Sequence, residues 1–411
     1  MLNEPGSRPL HVLLVAYYCR PDAGSEHQTG WGWVRALAAR PGLRVTVVTA
    51  AANRAALEPA AAVLGDHVGF VYVDDRRRGA DRLPAELPAT ARYLAFIRRG
   101  TGTARRLHQR DPVDVAHHVS WGNVRLGSPA FALDGVPVVF GPVGGGQVLP
   151  WRFLPTLGPG PAAVEAARNT QVVASRFSRA TRRRLQTAAV VVATNEPTEQ
   201  LARRLGARRV ERMLDTAIDR PLPAPGRRHG GRLELLWLSR LLPRKGVGLA
   251  IAAVQRAAEQ GADVHLTVAG DGPDRGRVAA AVAAGAPVTA VGQIPFERLP
   301  ETYRRADVVL VTSLRDSGSP PMLDCLAFGV PALALDHHGA REFARGGWAF
   351  TVPVTTPGET VERLARSIVE LADDREAIGR RAAATAAAAA QLTWAGHACR
   401  AHRWYQEVVA G

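Results

Sequence analysis

The sequence predicts an α/β protein made of two doubly wound, Rossmann-like domains. Three observations carry the prediction. Its 411 residues exceed one ordinary core and suit two or three. Apolar, β-branched runs of strand length alternate with longer Ala/Arg/Leu stretches of helical character, as in βα units around parallel sheets. A Pro/Gly/Arg-rich segment without apolar periodicity, Arg220 to Gly231, separates two such series and suits an exposed connection.

The first series is His11–Tyr18, Arg44–Thr49, Gly69–Val73, Asp114–Val119, Val136–Phe140, Ala188–Thr194 and a weaker Val210–Ile218. The second is Leu233–Leu238, Val264–Ala269, Val288–Val291, Asp307–Thr312 and Pro331–Leu335. Domains of 1–222 and 223–392 follow, with 393–411 as a closing segment. The first apolar run is too short for the roughly 20 residues of a membrane span, and no leader is read at the N-terminus. The composition, 46% hydrophobic and 22% charged, is that of a soluble globular chain. Cys19, Cys325 and Cys399 are odd in number and lack zinc or disulfide spacing, so a reducing cytoplasm is expected. The net charge of +15 admits nucleic acid, an anionic membrane surface or a polyanion as partner. All but one of the 52 basic residues are arginines, which singles out Lys245.

Doubly wound sheets bind ligands outside the carboxyl ends of their strands, so chemistry is sought just after each run. After the sixth residue of Leu233–Leu238 comes SRLLPRKG, in which Arg240 and Lys245 flank a short loop that opens a helix at about Gly246. A diphosphate needs fixed cations and exposed helix N–H groups, and this loop offers both; a solvated loop is the alternative. Asp316 and Asp324 are eight residues apart across a loop with Gly318 near its apex and a helix starting near Pro321. One carboxylate can accept from sugar hydroxyls and the other from a ribose diol. Alternatively Asp316 caps a turn and Asp324 complements a helix dipole.

Gly141 to Gln147, GPVGGGQ, allows close backbone approach to a phosphate or sugar, or makes a tight turn. His117 and His118 lie on one strand and point to opposite faces, so at most one enters a given site, and core histidines are the alternative. Cys19 to Trp33 lacks the order G-x-G-x-x-G, and no acidic residue closes the second strand at Thr49, which argues against an NAD enzyme. Arg168, Arg176, Arg179, Arg182, Arg183 and Arg184 form a basic helical stretch. A solvated face is the plainer reading and contact with anionic lipid the alternative; base-stacking aromatics are missing, so nucleic acid is not expected.

In this order the residues resemble the family-4 retaining glycosyltransferases of the GT-B fold, across nearly the whole chain. Arg240 through Lys245 is similar to that family's phosphate-binding Arg and Lys, and Asp316 to Asp324 to its E-x7-E element; Gly270-Asp271-Gly272-Pro273 and Gly292-Gln293 also fit. Gly24-Ser25-Glu26 with Gly30-Trp31, then Asp114 to His118, then Gly141–Gly146, resemble a subset with the same N-terminal elements. The resemblance implies two domains facing across a cleft and transfer of a sugar, with retention, from a UDP- or GDP-sugar to a hydroxyl acceptor that is carbohydrate, lipid-linked or small-molecule. It implies Asp316, Arg240 and Lys245 as catalytic residues, and Gly292, Gln293, Ser317, Gly318, Leu323 and Asp324 as further donor contacts. It puts Gly24, Ser25, Glu26, His117, His118, Gly144 and Gly145 on the acceptor side, and the final helix back on the N-terminal domain.

Departures are the two aspartates in place of glutamates, Pro320-Pro321 without amide donors, and Gly339-Ala340 preceded by His337-His338. Asp74-Asp75 is followed by Arg76-Arg77-Arg78, which would neutralise a D-x-D metal site, so no cofactor and no metal are expected. The same architecture serves nucleotide-sugar epimerases and hydrolases, and a non-catalytic nucleotide-sugar-binding protein is the other alternative.

Overall fold

The computed structural model describes residues 8–24, 26–75, 86–219 and 231–411. Ser25, Arg76–Arg78 and Arg220–Gly230 of the proposed connection lie outside the described residues.

The first sheet contains β1 (Leu10–Ala16), β2 (Leu43–Ala50), β3 (Val68–Val73), β4 (Val115–Ser120), β5 (Val138–Val143), β6 (Val190–Ala193) and β7 (Val210–Arg212). Their order is β3-β2-β1-β4-β5-β6-β7, and every pairing is parallel. β4 and β5 are buried at every position, which a strand with helices on both faces requires and which their near-continuous apolar runs supply. The second sheet contains β8 (Leu233–Leu238), β9 (Val264–Ala269), β10 (Val288–Gly292), β11 (Val308–Val311), β12 (Ala332–Asp336) and β13 (Phe350–Pro353), in the order β10-β9-β8-β11-β12-β13 and again parallel. The chain order reverses at β1/β4 and at β8/β11. These are the two topological switch points where such sheets open a crevice.

The described residues form two compact units: Met1–Gly146 with Ala174–Ala217 and Trp394–Gly411, and Gln147–Val173 with Ile218–Thr393. The segment Gln147–Val173 therefore packs with the second sheet, although it precedes residue 222. The cause is apolar: Leu149, Phe153 and Leu157 enter the same core as Leu235, Trp237, Leu333 and Leu364. Asn169 holds the segment in place, its amide bonding both the N–H and the carbonyl of Leu149, at 2.9 and 2.7 Å. In the first unit the closing helix Trp394–Ala410 packs on the helix Glu26–Ala38, with Trp394, Trp404 and Tyr405 buried.

Candidate functional site

The second unit collects charge at its switch point. β8 ends at Leu238, and the chain then makes a turn at Pro243–Lys245 before the helix Val247–Glu259. Gly246 joins them at φ 70°, with its Cα so close to β11 that a Cβ would lie 2.4 Å from the Thr312 carbonyl oxygen. Thr312 braces this approach: its hydroxyl faces the carbonyls of Lys245 and Gly246 at 3.2 and 2.8 Å and accepts from the Trp237 indole at 3.0 Å. Lys245 is thus fixed at 7% exposure, and its ammonium pairs with the Asp316 carboxylate. Burial lowers the pKa of Lys245, against the opposing pull of Asp316.

Arg244, also largely buried, donates to the Arg315 carbonyl at 3.0 Å and stands 3.9 Å from Asp316. Its pKa too is lowered by burial. Arg240 is exposed, yet near enough for its charge to lower the pKa of both. The Arg315 guanidinium is held by both carboxylate oxygens of Glu165, each at 2.7 Å. Arg244 and Lys245 thus converge on the carboxylate of Asp316, with the charge of Arg240 nearby.

A cavity of 350 Å³ adjoins this cluster, lined by Ser239, Arg240, Gly270, Asp271, Gln293 and Leu299. Arg240 and Gln293 are therefore brought together; Gly292, at φ 68°, ends β10 just before Gln293. A larger hollow of 640 Å³ runs along β8, β9 and β10 to Arg298 and Arg305, and its lining contains none of Arg240, Lys245 and Asp316. The smaller cavity meets the cluster through Arg240, while Lys245 and Asp316 line a separate small space that shares Leu238 and Ser239 with it.

Asp316, Ser317 and Gly318 form a half-buried loop before the helix Pro320–Phe328. Gly339 abuts it, since a Cβ there would lie 2.5 Å from the Ser317 carbonyl oxygen. The helix begins at Pro320, and its two prolines leave no N–H at those positions. The next two amides, Met322 and Leu323, bond the Ser319 carbonyl at 2.8 and 3.1 Å. Neither of these amides is therefore left for a ligand. Leu323 is half-buried. So is Asp324, which accepts from the Tyr303 hydroxyl at 3.0 Å; burial pushes its carboxyl up to about 6.

In the first unit the acceptor-side residues are placed differently from expectation. His117 and His118 are both fully buried. His117 bonds the Gly141 carbonyl at 2.7 Å and the Tyr405 hydroxyl at 2.5 Å, and His118 lies 3.3 Å from the Trp121 carbonyl. Neither opens to a ligand: β4 is covered on both faces, and burial lowers their pKa to about 3 and about 4, keeping both neutral. Gly144 and Gly145 are buried too; the Gly144 N–H donates to Gly122 at 2.8 Å, and its carbonyl accepts from Val124 at 2.9 Å. They pack one loop on another. Gly24 is exposed. Glu26 accepts from the Trp121 N–H at 2.7 Å and so braces that residue at φ 65°.

Around Trp121 stand residues that the sequence reading passed over. Its ring stacks on Tyr93 at 4.7 Å and leans on Tyr18 at 5.5 Å. Trp121 directly follows β4 and Tyr18 lies two residues past β1; the carboxyl-end rule pointed to the stretch around Trp121 without assigning it a role. Asp75 is buried and bonds Tyr17 and Arg92, while Asp74 pairs with Arg99 at 3.1 Å. Among the described residues no group of three or more His, Cys, Asp or Glu side chains could hold a metal ion.

Residues 232–374 match the model of the family Glycosyl transferases group 1. That span covers β8 to β13 and the charged cluster, with Glu165 outside it. An alpha-D-kanosaminyltransferase of Streptomyces kanamyceticus is 26% identical over 227 residues, 51% of this chain and 58% of that protein. The chain thus spans little more than half the length of that relative. Among solved structures, Alr3699/HepE of Anabaena in complex with UDP-glucose aligns at a TM-score of 0.59 and 17% identity, over 96% of this chain and 99% of that one. Sucrose-phosphate synthase from Thermosynechococcus elongatus aligns at 0.64 and 17%, over 98% and 99%. The fold is therefore that of the GT-B glycosyltransferases.

Proposed function

We propose that this protein is a metal-independent glycosyltransferase that moves a sugar, with retention, from a nucleoside diphosphate to an acceptor hydroxyl. The observation that carries the reading is the cluster of positive charge at the β8/β11 switch point, where Arg244 and Lys245 converge on Asp316 and Arg240 stands close by. Such a cluster suits the two negative charges of a diphosphate diester. As the glycosidic bond breaks, negative charge grows on the leaving diphosphate, and cations fixed beforehand stabilise it more than the ground state. Asp316 accepts from the donor sugar's hydroxyls and Asp324 from the ribose. Gln293 and Arg240 border the adjacent cavity, which takes the base and ribose.

The match over residues 232–374, a relative named for kanosaminyl transfer and a neighbour that holds UDP-glucose support a sugar nucleotide as donor. Retention is supported by the resemblance to family 4, and metal independence by side-chain cations standing where the diphosphate binds. The acceptor, a carbohydrate, lipid-linked or small-molecule alcohol, meets the first unit beside Glu26 and Trp121. Three cysteines without disulfides, two of them buried, support a reducing cytoplasm.

Contact with an anionic membrane is supported by Phe177, 82% exposed between Arg176 and Arg179, with Arg182 and Arg183 exposed on the following helix. No helix among the described residues is long and apolar enough to cross a membrane. Co-sedimentation with phosphatidylglycerol vesicles tests the contact, and binding unaltered in Phe177→Ser would refute it.

Thermal stabilisation by UDP-, GDP-, ADP- and TDP-sugars in EDTA, followed by product analysis with candidate alcohols, tests the activity. One nucleotide series stabilising the protein, with turnover dependent on the alcohol, is the expected result. Donor consumption without any alcohol would indicate an epimerase or hydrolase, and no stabilisation by any series would refute the donor site.

A further inference from the structure

Glu165 belongs to none of the motifs that mark the donor site, lies outside the matched residues 232–374, and sits 150 positions before the group it binds. It occupies the helix Pro159–Ala174, which the apolar side chains of Gln147–Val173 and the Asn169 clamp anchor to the second unit. Its carboxylate and the Arg315 guanidinium are 8% and 12% exposed, and they form two parallel bonds of 2.7 Å. Such a fork fixes both direction and distance.

Arg315 immediately precedes Asp316. Its remaining charged surroundings are cationic or neutral: Arg244, whose guanidinium donates to the Arg315 carbonyl, and His338, whose pKa burial and nearby positive charges hold well below its ordinary value. Without Glu165 the buried guanidinium would lose its carboxylate partner, and the residue next to it in the chain, Asp316, carries another. That group is already engaged by Lys245 and lies near Arg244.

We propose that Glu165 is a positioning residue of the donor site: by sequestering the Arg315 guanidinium it keeps the Asp316 carboxylate turned to Lys245 and open to the hydroxyls of the donor sugar. The proposal rests on the donor site at Lys245 and Asp316. It has a consequence that a purely structural pair would not have. Loss of the Glu165 charge harms recognition of the sugar while sparing recognition of the diphosphate, because Arg240, Arg244 and Lys245 stay in place.

The experiment titrates UDP against UDP-glucose and GDP against GDP-mannose, by calorimetry, on wild type, Glu165→Gln and the double variant Glu165→Gln/Arg315→Met. In Glu165→Gln the affinity advantage of the sugar nucleotide over the bare diphosphate falls by about tenfold, the scale of one charge-assisted hydrogen bond. The bare diphosphate binds within about threefold of wild type. The double variant, an uncharged pair of similar volume that leaves no buried ion unpaired, restores the advantage. Should Glu165→Gln not fold, the double variant alone still decides, since loss of the advantage there overturns the proposal. Parallel weakening of both ligands in Glu165→Gln, or no change in either, overturns it as well. A wild type that binds neither pair of ligands overturns the donor site first and this proposal with it.

Discussion

Replacing Lys245 by methionine removes the ammonium and keeps nearly the same chain length, so packing is preserved while the charge is lost. At 7% exposure the ammonium acts through protein rather than water, and its charge is weakly screened. Its partner Asp316 is not orphaned by the change, because Arg244 remains 3.9 Å away. Stability should therefore fall by less than the roughly 3–5 kcal/mol that follows removal of a buried carboxylate's sole partner. The effect on turnover should be larger: the cluster loses one positive charge, and a single pre-placed electrostatic donor is worth about 10²–10³ in rate, or about 2.7–4 kcal/mol. The assay is kcat/KM in EDTA with the nucleotide sugar that stabilises the wild type, alongside a denaturant midpoint. A folded Lys245→Met protein with kcat/KM within about twofold of wild type would refute the assignment of the diphosphate to this cluster.

Other outcomes follow from the same geometry. Asp324→Asn keeps an acceptor for the Tyr303 hydroxyl but removes a carboxyl whose folded pKa of about 6 exceeds the ordinary 3.8, so the wild-type carboxyl is most stabilising below pH 3.8 and that contribution is lost as pH rises through 6. Urea midpoints should show the variant more stable by up to about 3 kcal/mol above pH 6, with the gain vanishing toward pH 4. Nucleotide affinity of the wild type, measured calorimetrically, should strengthen as pH rises through 6 while Asp324 ionises to accept the ribose hydroxyls, and this rise should be missing in Asp324→Asn. Phe153→Ala should cost about 3–5 kcal/mol in urea unfolding of the second unit, because the ring is fully buried in that unit's core; a change below about 1 kcal/mol would show that Gln147–Val173 is peripheral to it.

Both sheets were legible because the signal is local: a strand buried on two faces needs a run of apolar residues, and His11–Tyr18 or Leu233–Leu238 show one without reference to the rest of the chain. β13 escaped because four residues, Phe350–Pro353, carry only two apolar side chains besides a proline. The weak run Val210–Ile218 shortens to β7, Val210–Arg212, where the chain turns polar. The placement of Gln147–Val173 could not be read, since the core that Leu149 and Phe153 enter is chosen by tertiary packing. The same limit governs the sites. Lys245 and Asp316, which pair in the fold, were singled out by loop position and residue type. The burial of His117 depends on Tyr405, 288 residues away, and the Arg315–Glu165 fork spans 150 residues.

The one lysine of a chain with 52 basic residues can be understood from its surroundings. Lys245 ends a tight turn pressed against Thr312 by the closeness of Gly246, and the space enclosed by Ser239, Lys245, Thr312, Ser313, Asp316 and Ser319 amounts to only 10 Å³. A guanidinium is broader and presents five donors in a rigid plane, whereas an ammonium is compact and directs three. Arginine here would overfill the nook or leave buried donors unmet, either of which costs on the order of 1–3 kcal/mol. With Pro320 and Pro321 supplying no amides, the ammonium would, on the proposed function, stand in for helix N–H groups at a phosphate. A point charge on a flexible stem can exchange Asp316 for an incoming diphosphate without repacking the turn, a movement that a forked guanidinium bound in two directions resists. The pressure toward arginine elsewhere in the sequence stops at the position where shape and charge together admit only lysine.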